Sequence, residues 1–327
     1  MLLAGLGASA FRYYNLFTAP YRNYAEDRLL ITILPGTSLG SISRTLEARG
    51  VVRRAWMLRA IFKWKKTEGK SKAGDYVFDR PLTPLEVYEK LMKGETLFTV
   101  VTVPEGSSVF DIQRIFHDRQ VGDPSQFQRA VSDPQVMTRL RAIEPQAPGV
   151  EGFLFPDTYF FGKRDPAQKA FLIMMREFER RFGAAERRRA AELGFSTLQV
   201  ITLASLVEKE TGAAMERPLI AGVFHNRLRL RMLLQCDPTV IYALQLEGRY
   251  RGYLTRADLQ QPSPYNTYIS AGLPPGPICN PGADAIHAAL YPETTDKLYF
   301  VSRNDGTHEF STTLAEHNRA VKRFRNK

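Results

Sequence analysis

The chain has 327 residues, 44% of them apolar and 24% charged, and carries a net charge of +11. That length is enough for two or more domains with cores of their own, and that composition excludes a disordered or fibrous chain. Two cysteines, Cys236 and Cys279, exclude a small scaffold held together by disulfides.

Read from the start, MLLAGLGASAF is apolar, but Arg12 follows at once and no basic flank precedes it. A spanning helix needs about 20 apolar residues, so the segment is short for an anchor; the core of a signal peptide is the competing reading. Residues 1–25 are taken as an incomplete membrane anchor and linker. Much of the excess charge lies at 53–72, where Arg53, Arg54, Arg59, Lys63, Lys65, Lys66, Lys70 and Lys72 face Glu68 alone. Such a patch suits anionic lipid headgroups or the carboxylates of an acidic partner; no nucleic-acid module accompanies it, and nucleic acid is not expected as a partner.

Ile31–Ile61 and Val101–Val131 align without gaps at a spacing of 70, with Ile31, Gly36, Ser38, Ile42 and Leu46 matching Val101, Gly106, Ser108, Ile112 and Phe116. Each copy predicts a strand, a glycine turn, a Ser-capped amphipathic helix and a second helix. AGDYVF and TPLEVYEKLMKG then add a strand and a short helix. Gly36-Thr37-Ser38-Leu39-Gly40 mimics the nucleophile elbow of an α/β-hydrolase. The second copy has Phe110 where that pattern needs glycine, and a helix-capping serine accounts for both copies. Arg176–Glu192 mixes charges of both signs and reads as a solvated helix face.

The richest segment is ITLASLVEKET, Ile201–Thr211. Ser196 and Gln199 predict a capping box before it. Leu198–Val207 is apolar or small on every side, which predicts a buried central helix. Glu208 and Glu210 follow. A carboxyl held among apolar groups resists ionisation and can serve as a general acid, and the pattern does not choose between the two. Residues 223–242 and 262–282 are dense in Asn226, Gln235, Thr239, Tyr265, Asn266, Thr267, Tyr268 and Asn280. Aromatic faces stack on pyranose rings, amides satisfy hydroxyl and N-acetyl groups, and long irregular loops are more often functional than not. The five histidines at 117, 225, 287, 308 and 317 show no metal-ligand spacing. No phosphate loop is present, so no metal and no cofactor are expected. His308 and His317 are read as structural. Cys236 and Cys279 are read as buried thiols, a disulfide between their loops being the alternative.

VEKET, ERPLIAGVFHNRL, LQCDPTVIY, SPYNTY, GLPPGPICNPG, LYFV and the closing His308-x-Phe310-Ser311 with His317-Asn318 occur in one order. Together they resemble the MltG-type, or YceG-like, endolytic murein transglycosylases, from about Glu151 to about Phe324. The resemblance implies a single-pass protein of the bacterial inner membrane, with its catalytic domain on the periplasmic side cutting nascent peptidoglycan strands beside glycan synthases. It implies a LysM-like module, taken as Leu30–Thr96, ahead of a catalytic domain over 97–327. It makes Glu208 the catalytic acid. Asp237 and Glu151 are the nearest candidates for a supporting role at the bound substrate; Lys209, adjacent in the helix, points elsewhere. The expected fold is α+β, with the buried helix beside a sheet that includes Lys297–Ser302 and Thr307–Ser311. A non-catalytic glycan-binding scaffold is the main rival. A pyridoxal-phosphate lyase lacks a phosphate cup, and Lys209 is the one lysine in the core motif.

Overall fold

The structure is a computed structural model that describes residues 17–94, 98–122, 124–162 and 165–325. The chain divides into two compact units, one of residues up to 100 with 160–164, the other of 101–159 with 165–327. The apolar N-terminal stretch at 1–11 lies outside the described residues. Among the described residues no single helix is long and apolar enough to cross a membrane.

In the first unit, β1 (Leu29–Ile33) pairs antiparallel with β2 (Gly74–Phe78), Ile31 opposite Tyr76. Alternation along β1 turns Leu29, Ile31 and Ile33 inward. Two helices connect the strands, α1 (Leu39–Ala48) and α2 (Ala55–Trp64), and α3 (Pro84–Lys93) follows β2. The Ser38 hydroxyl caps α1 by accepting from the Ser41 N–H at 3.2 Å. Thr83 and Glu86 close a capping box on α3, and Gly94 ends it in the left-handed conformation. Ile31, Leu46, Leu58, Phe62, Tyr76 and Leu91 meet in one apolar core.

The internal repeat is visible in the backbone. Strand β3 (Phe98–Thr102) leads to α4 (Val109–Asp118) and α5 (Pro124–Val131), the same order as β1, α1 and α2. Gly36 and Gly106 occupy the same left-handed turn, at φ +76 and +73, and Ser108 caps α4 as Ser38 caps α1. The serine of the elbow-like pentapeptide is therefore a helix cap. β3 pairs with β4 (Thr158–Gly162).

The second unit is mostly helical. After α6 (Pro134–Ile143) come α7 (Ala167–Arg181) and α8 (Ala184–Glu192), so the mixed-charge stretch is the end of one helix and all of another. Phe182 is buried at the break. Next is α9 (Thr197–Glu210), whose N-terminus carries the expected Ser196–Gln199 box. The buried Glu144 carboxylate accepts from the Leu198 N–H as well, satisfying another end donor. Every residue from Val200 to Val207 is buried. Its neighbours are helices, chiefly α12 (Ala283–Leu290), with α10 (Arg217–Arg229) and α11 (Asp237–Leu246) beside it. This corrects the expected packing against a sheet. The predicted strands form β5 (Tyr299–Ser302) and β6 (His308–Ser311), a hairpin that packs on α13 (Leu314–Arg325). Two short strands have too little face to cover a helix that is apolar all round, and three helices do.

Gly222 sets how closely α10 approaches the chain after α12. A Cβ there would sit 2.4 Å from the Glu293 carbonyl oxygen and 3.0 Å from the Thr295 methyl. Gly222→Ala is therefore expected to cost about 1–3 kcal/mol despite alanine's better helix propensity. Urea denaturation checks this; an unchanged or raised stability would contradict it.

Candidate active site

The end of α9 sends its two carboxylates to different sides, as i and i+2 positions on a helix must. Glu208 turns toward the Glu105–Gly106 turn and the start of α12. Its side chain is only 6% exposed. One oxygen accepts from the Arg217 guanidinium at 3.1 Å, the other from the Gly282 N–H at 2.8 Å. Arg217 is itself 90% buried, its side chain being 10% exposed, and reaches Asp284 at 3.6 Å. Glu105 lies against Gly282, and burial, with Glu208 nearby, pushes its carboxyl above the usual range. The apolar surroundings expected for Glu208 are thus replaced by an ion pair and a helix N-terminus. The sequence pattern did not show this because Arg217 lies beyond the helix end, past a 3-10 turn at Ala214–Glu216.

Glu210 turns to the opposite side and lines a pocket of about 340 Å³. Burial pushes its carboxyl above the ordinary range, and nearby Asp237 raises it further, against the Cys236 thiol that hydrogen-bonds to it. The pocket brings Glu210 together with Gln235, Asp237, Tyr268, His308 and Ser302. The Tyr268 hydroxyl donates to Asp237. Gln235 holds a left-handed backbone at φ +51, fixed by its N–H to the Thr267 carbonyl at 3.0 Å. A non-glycine residue in that conformation costs about 1–3 kcal/mol and persists where the surroundings impose it.

The other polar residues singled out in the sequence turn inward. Asn226 donates to the carbonyls of Thr295 and Lys297. Asn266 donates to those of Leu259 and Gln261. Asn280 accepts from the Leu154 N–H and donates to the Ser107 carbonyl and Glu151. The hydroxyls of Thr239 and Thr267 meet at 2.9 Å in the interior. Tyr265 packs against Tyr242, ring centroids 5.1 Å apart. These side chains satisfy the backbone of long irregular loops, which buried amide groups require. Of the predicted sugar contacts, Gln235, Asp237 and Tyr268 share the Glu210 pocket. Cys236 and Cys279 are free, buried thiols.

Glu151 is a buried carboxyl. It accepts from the Val109 N–H at the start of α4, from Tyr242 at 3.2 Å and from Asn280 at 3.0 Å. Burial pushes its pKa up to about 8. An acid whose folded pKa is raised opposes folding as it ionises, so the penalty is absent below its unfolded pKa, near 4.5, and complete above about 8. Glu151→Gln keeps the volume and the bonds to Val109 and Asn280. Its melting temperature is expected to gain on the wild type as pH rises through that window. Parallel profiles would contradict this.

Two further residues, Glu216 beside the pocket and Arg227 in its wall, are not evident from composition. Glu216 accepts from the His308 N–H at 2.9 Å and from its Nδ1 at 2.7 Å, which fixes the imidazole at the pocket wall. Arg227 donates to the carbonyls of Leu298 and Leu234, tying the pocket's rim loops together. The only sequence signal for them is their place within the ERPLIAGVFHNRL and His308-x-Phe310 motifs.

A family pattern described as the YceG-like family matches residues 31–323. An endolytic murein transglycosylase of Bacillus subtilis is 30% identical, over 96% of this chain and 90% of that protein. One of Streptococcus pneumoniae strain R6 is 27% identical over 98% of this chain, which spans 62% of the pneumococcal protein's length. The crystal structure of a yceG-like protein from Listeria monocytogenes superposes with a TM-score of 0.63 at 31% identity, covering 90% of this chain and 99% of that one. With the match running through both copies of the repeat, the α9 helix and the pocket residues, the chain belongs to the YceG-like family.

Proposed function

We propose that this chain is an endolytic murein transglycosylase. It cleaves the β-1,4 bond between N-acetylmuramic acid and N-acetylglucosamine inside nascent glycan strands, without water, and leaves 1,6-anhydro ends. The observation that carries the reading is a carboxyl with a raised pKa, Glu210, opening on a polar pocket shared with Asp237, Tyr268 and Gln235. Protonated Glu210 donates to the glycosidic oxygen as the bond to C1 breaks. The muramic acid's own 6-hydroxyl attacks C1 and returns its proton to Glu210, so one carboxyl serves as acid and then base. Asp237 supplies negative potential to the developing oxocarbenium centre, and Tyr268 holds it in place. In this reading the chain works outside the cytoplasmic membrane, tethered by its N-terminal apolar segment, beside glycan-polymerising synthases.

The resemblance assigns the acid to Glu208; the geometry favours Glu210. Glu208 has both oxygens engaged, one by a buried arginine, and a proton donor there would need Arg217 to withdraw. Glu208, Arg217 and Gly282 instead brace the end of α9 from behind. A second reading also has support. Two carboxylates on one pocket, Glu210 and Asp237, are the equipment of a hydrolytic glycosidase. Digestion of uncrosslinked strands in water enriched in heavy oxygen separates the two. The transglycosylase takes up no label, whereas a hydrolase places it at each new reducing end. No cleavage by the full-length, membrane-tethered chain would favour the glycan-binding scaffold.

A further inference from the structure

The chain has only two tryptophans, Trp56 and Trp64, and both lie on the outer face of α2 in the first unit. Trp64 is 77% exposed and Trp56 41%. Trp56, Arg59, Ala60, Lys63 and Trp64 follow the spacing of one helical stripe, and all five face solvent. The opposite stripe, with Leu58, Ile61 and Phe62, is buried in the unit's core. Lys65 places its ammonium 5.0 Å from the Trp64 ring centre, and Lys66 and Lys70 extend the charge beyond the helix end. None of Arg59, Lys63, Lys65, Lys66 or Lys70 makes an ion pair among the described residues, and Glu68 is the one acid between 53 and 72.

This face is not accounted for by folding. Trp56 gives the fold an edge-on contact with the Phe17 ring, centroids 5.6 Å apart, while Trp64, about 12 Å further along the helix axis, leaves most of its indole in solvent. Arg59 acts on the Glu47 carboxyl only at a distance, and the lysines around the indoles pair with no acid among the described residues. Exposed tryptophan flanked by lysine and arginine is the composition of a surface that sits at a lipid–water boundary: the indole occupies the headgroup level and the cations meet phosphates. A sugar-binding face would carry amides and hydroxyls to satisfy ring hydroxyls, and this stripe has none.

We propose that the outer face of α2 is a docking surface for anionic phospholipid, with Trp64 seated among the headgroups and Arg59, Lys63, Lys65 and Lys66 against their phosphates. The surface holds the first unit down on the membrane independently of any tether elsewhere in the chain. It rests on the composition of this face and not on the proposed chemistry of the second unit.

Because both tryptophans are on this face, intrinsic tryptophan fluorescence of the full chain reads it and nothing else. Vesicles of phosphatidylglycerol are expected to shift the emission to the blue, and lipids brominated near the headgroup end of their chains to quench it. Vesicles of phosphatidylcholine are expected to do neither, and about 0.5 M salt to reverse the effect by screening. Each surface cation is worth about fivefold in partitioning, so Lys63→Glu with Lys66→Glu should cut the quenching partition coefficient by at least about 25-fold at unchanged melting temperature. If the chain sediments with anionic vesicles while its tryptophans stay unquenched, binding runs through another segment and the proposal fails. It fails equally if the double variant binds as well as the wild type, or if solubilised glycan strands shift the emission and vesicles do not.

Discussion

Glu210→Gln is expected to lower turnover of murein glycan strands by about 10²–10⁴-fold, the usual worth of a general acid–base group. The upper part of that range is favoured because the same carboxyl acts twice, giving a proton to the leaving oxygen and taking one from the attacking hydroxyl. Glutamine keeps the volume and polarity of the site, so binding of strands should change little, and the melting temperature should hold at low pH and gain on the wild type as pH rises. The raised pKa of Glu210 also fixes the sign of the pH dependence. The acid form is the active one in the free enzyme, so kcat/KM falls as pH rises through that pKa. Glu208→Gln is the companion variant. It touches the bracing pair and not the pocket, so turnover should stay within about tenfold of wild type, below the range expected for a lost acid. Initial rates of strand cleavage for both variants across pH check the pair of expectations.

The largest effect on stability is expected at Arg217. Arg217→Met leaves Glu208 buried with the Gly282 N–H as its remaining donor, and with the carboxyl of Glu105 nearby. Removing one partner of a buried pair strands the other charge and costs about 3–5 kcal/mol. For a chain of this size that corresponds to a drop of roughly 6–20 °C in melting temperature. Replacing both partners by apolar residues of similar volume, Arg217→Met with Glu208→Leu, should recover most of the loss, because the pair's attraction is largely offset by its desolvation. Calorimetry of the two variants tests this; a single variant within about 1 kcal/mol of wild type would show the pair to be solvated and weak, as exposed pairs are.

The sequence was most legible where short-range chemistry decides the outcome. Ser38, Ser108 and Ser196 cap helices as their spacing predicts. The glycines of the repeat turn the chain at φ values within a few degrees of each other, and α9 is buried from Val200 to Val207. What was not legible depends on which way a polar side chain points. Asn226, Asn266 and Asn280 look in sequence like groups free to bind a sugar, but the irregular segments beside them have few backbone partners of their own, and the amides, Asn226 from within α10, are used to satisfy that backbone. Composition does not distinguish the two uses. Partners distant along the chain were equally hidden. Val109 and Glu151 are 42 residues apart, and His308 and Glu216 are 92 apart. The choice between Glu208 and Glu210 is of the same kind, since it turns on Arg217 and Gly282 on one side of α9 and on Asp237 and Tyr268 on the other.

Breakage of the glycan strand by Glu210 without water is the step on which the proposed function stands. Its most direct test is a mass spectrum of the products formed from uncrosslinked strands by the wild type, Glu208→Gln and Glu210→Gln. Fragments ending in 1,6-anhydro-muramic acid, one water lighter than reducing ends, are expected from the wild type and Glu208→Gln and none from Glu210→Gln. Anhydro ends from Glu210→Gln at the wild-type rate, with a silent and fully folded Glu208→Gln, would contradict it and return the chemistry to Glu208.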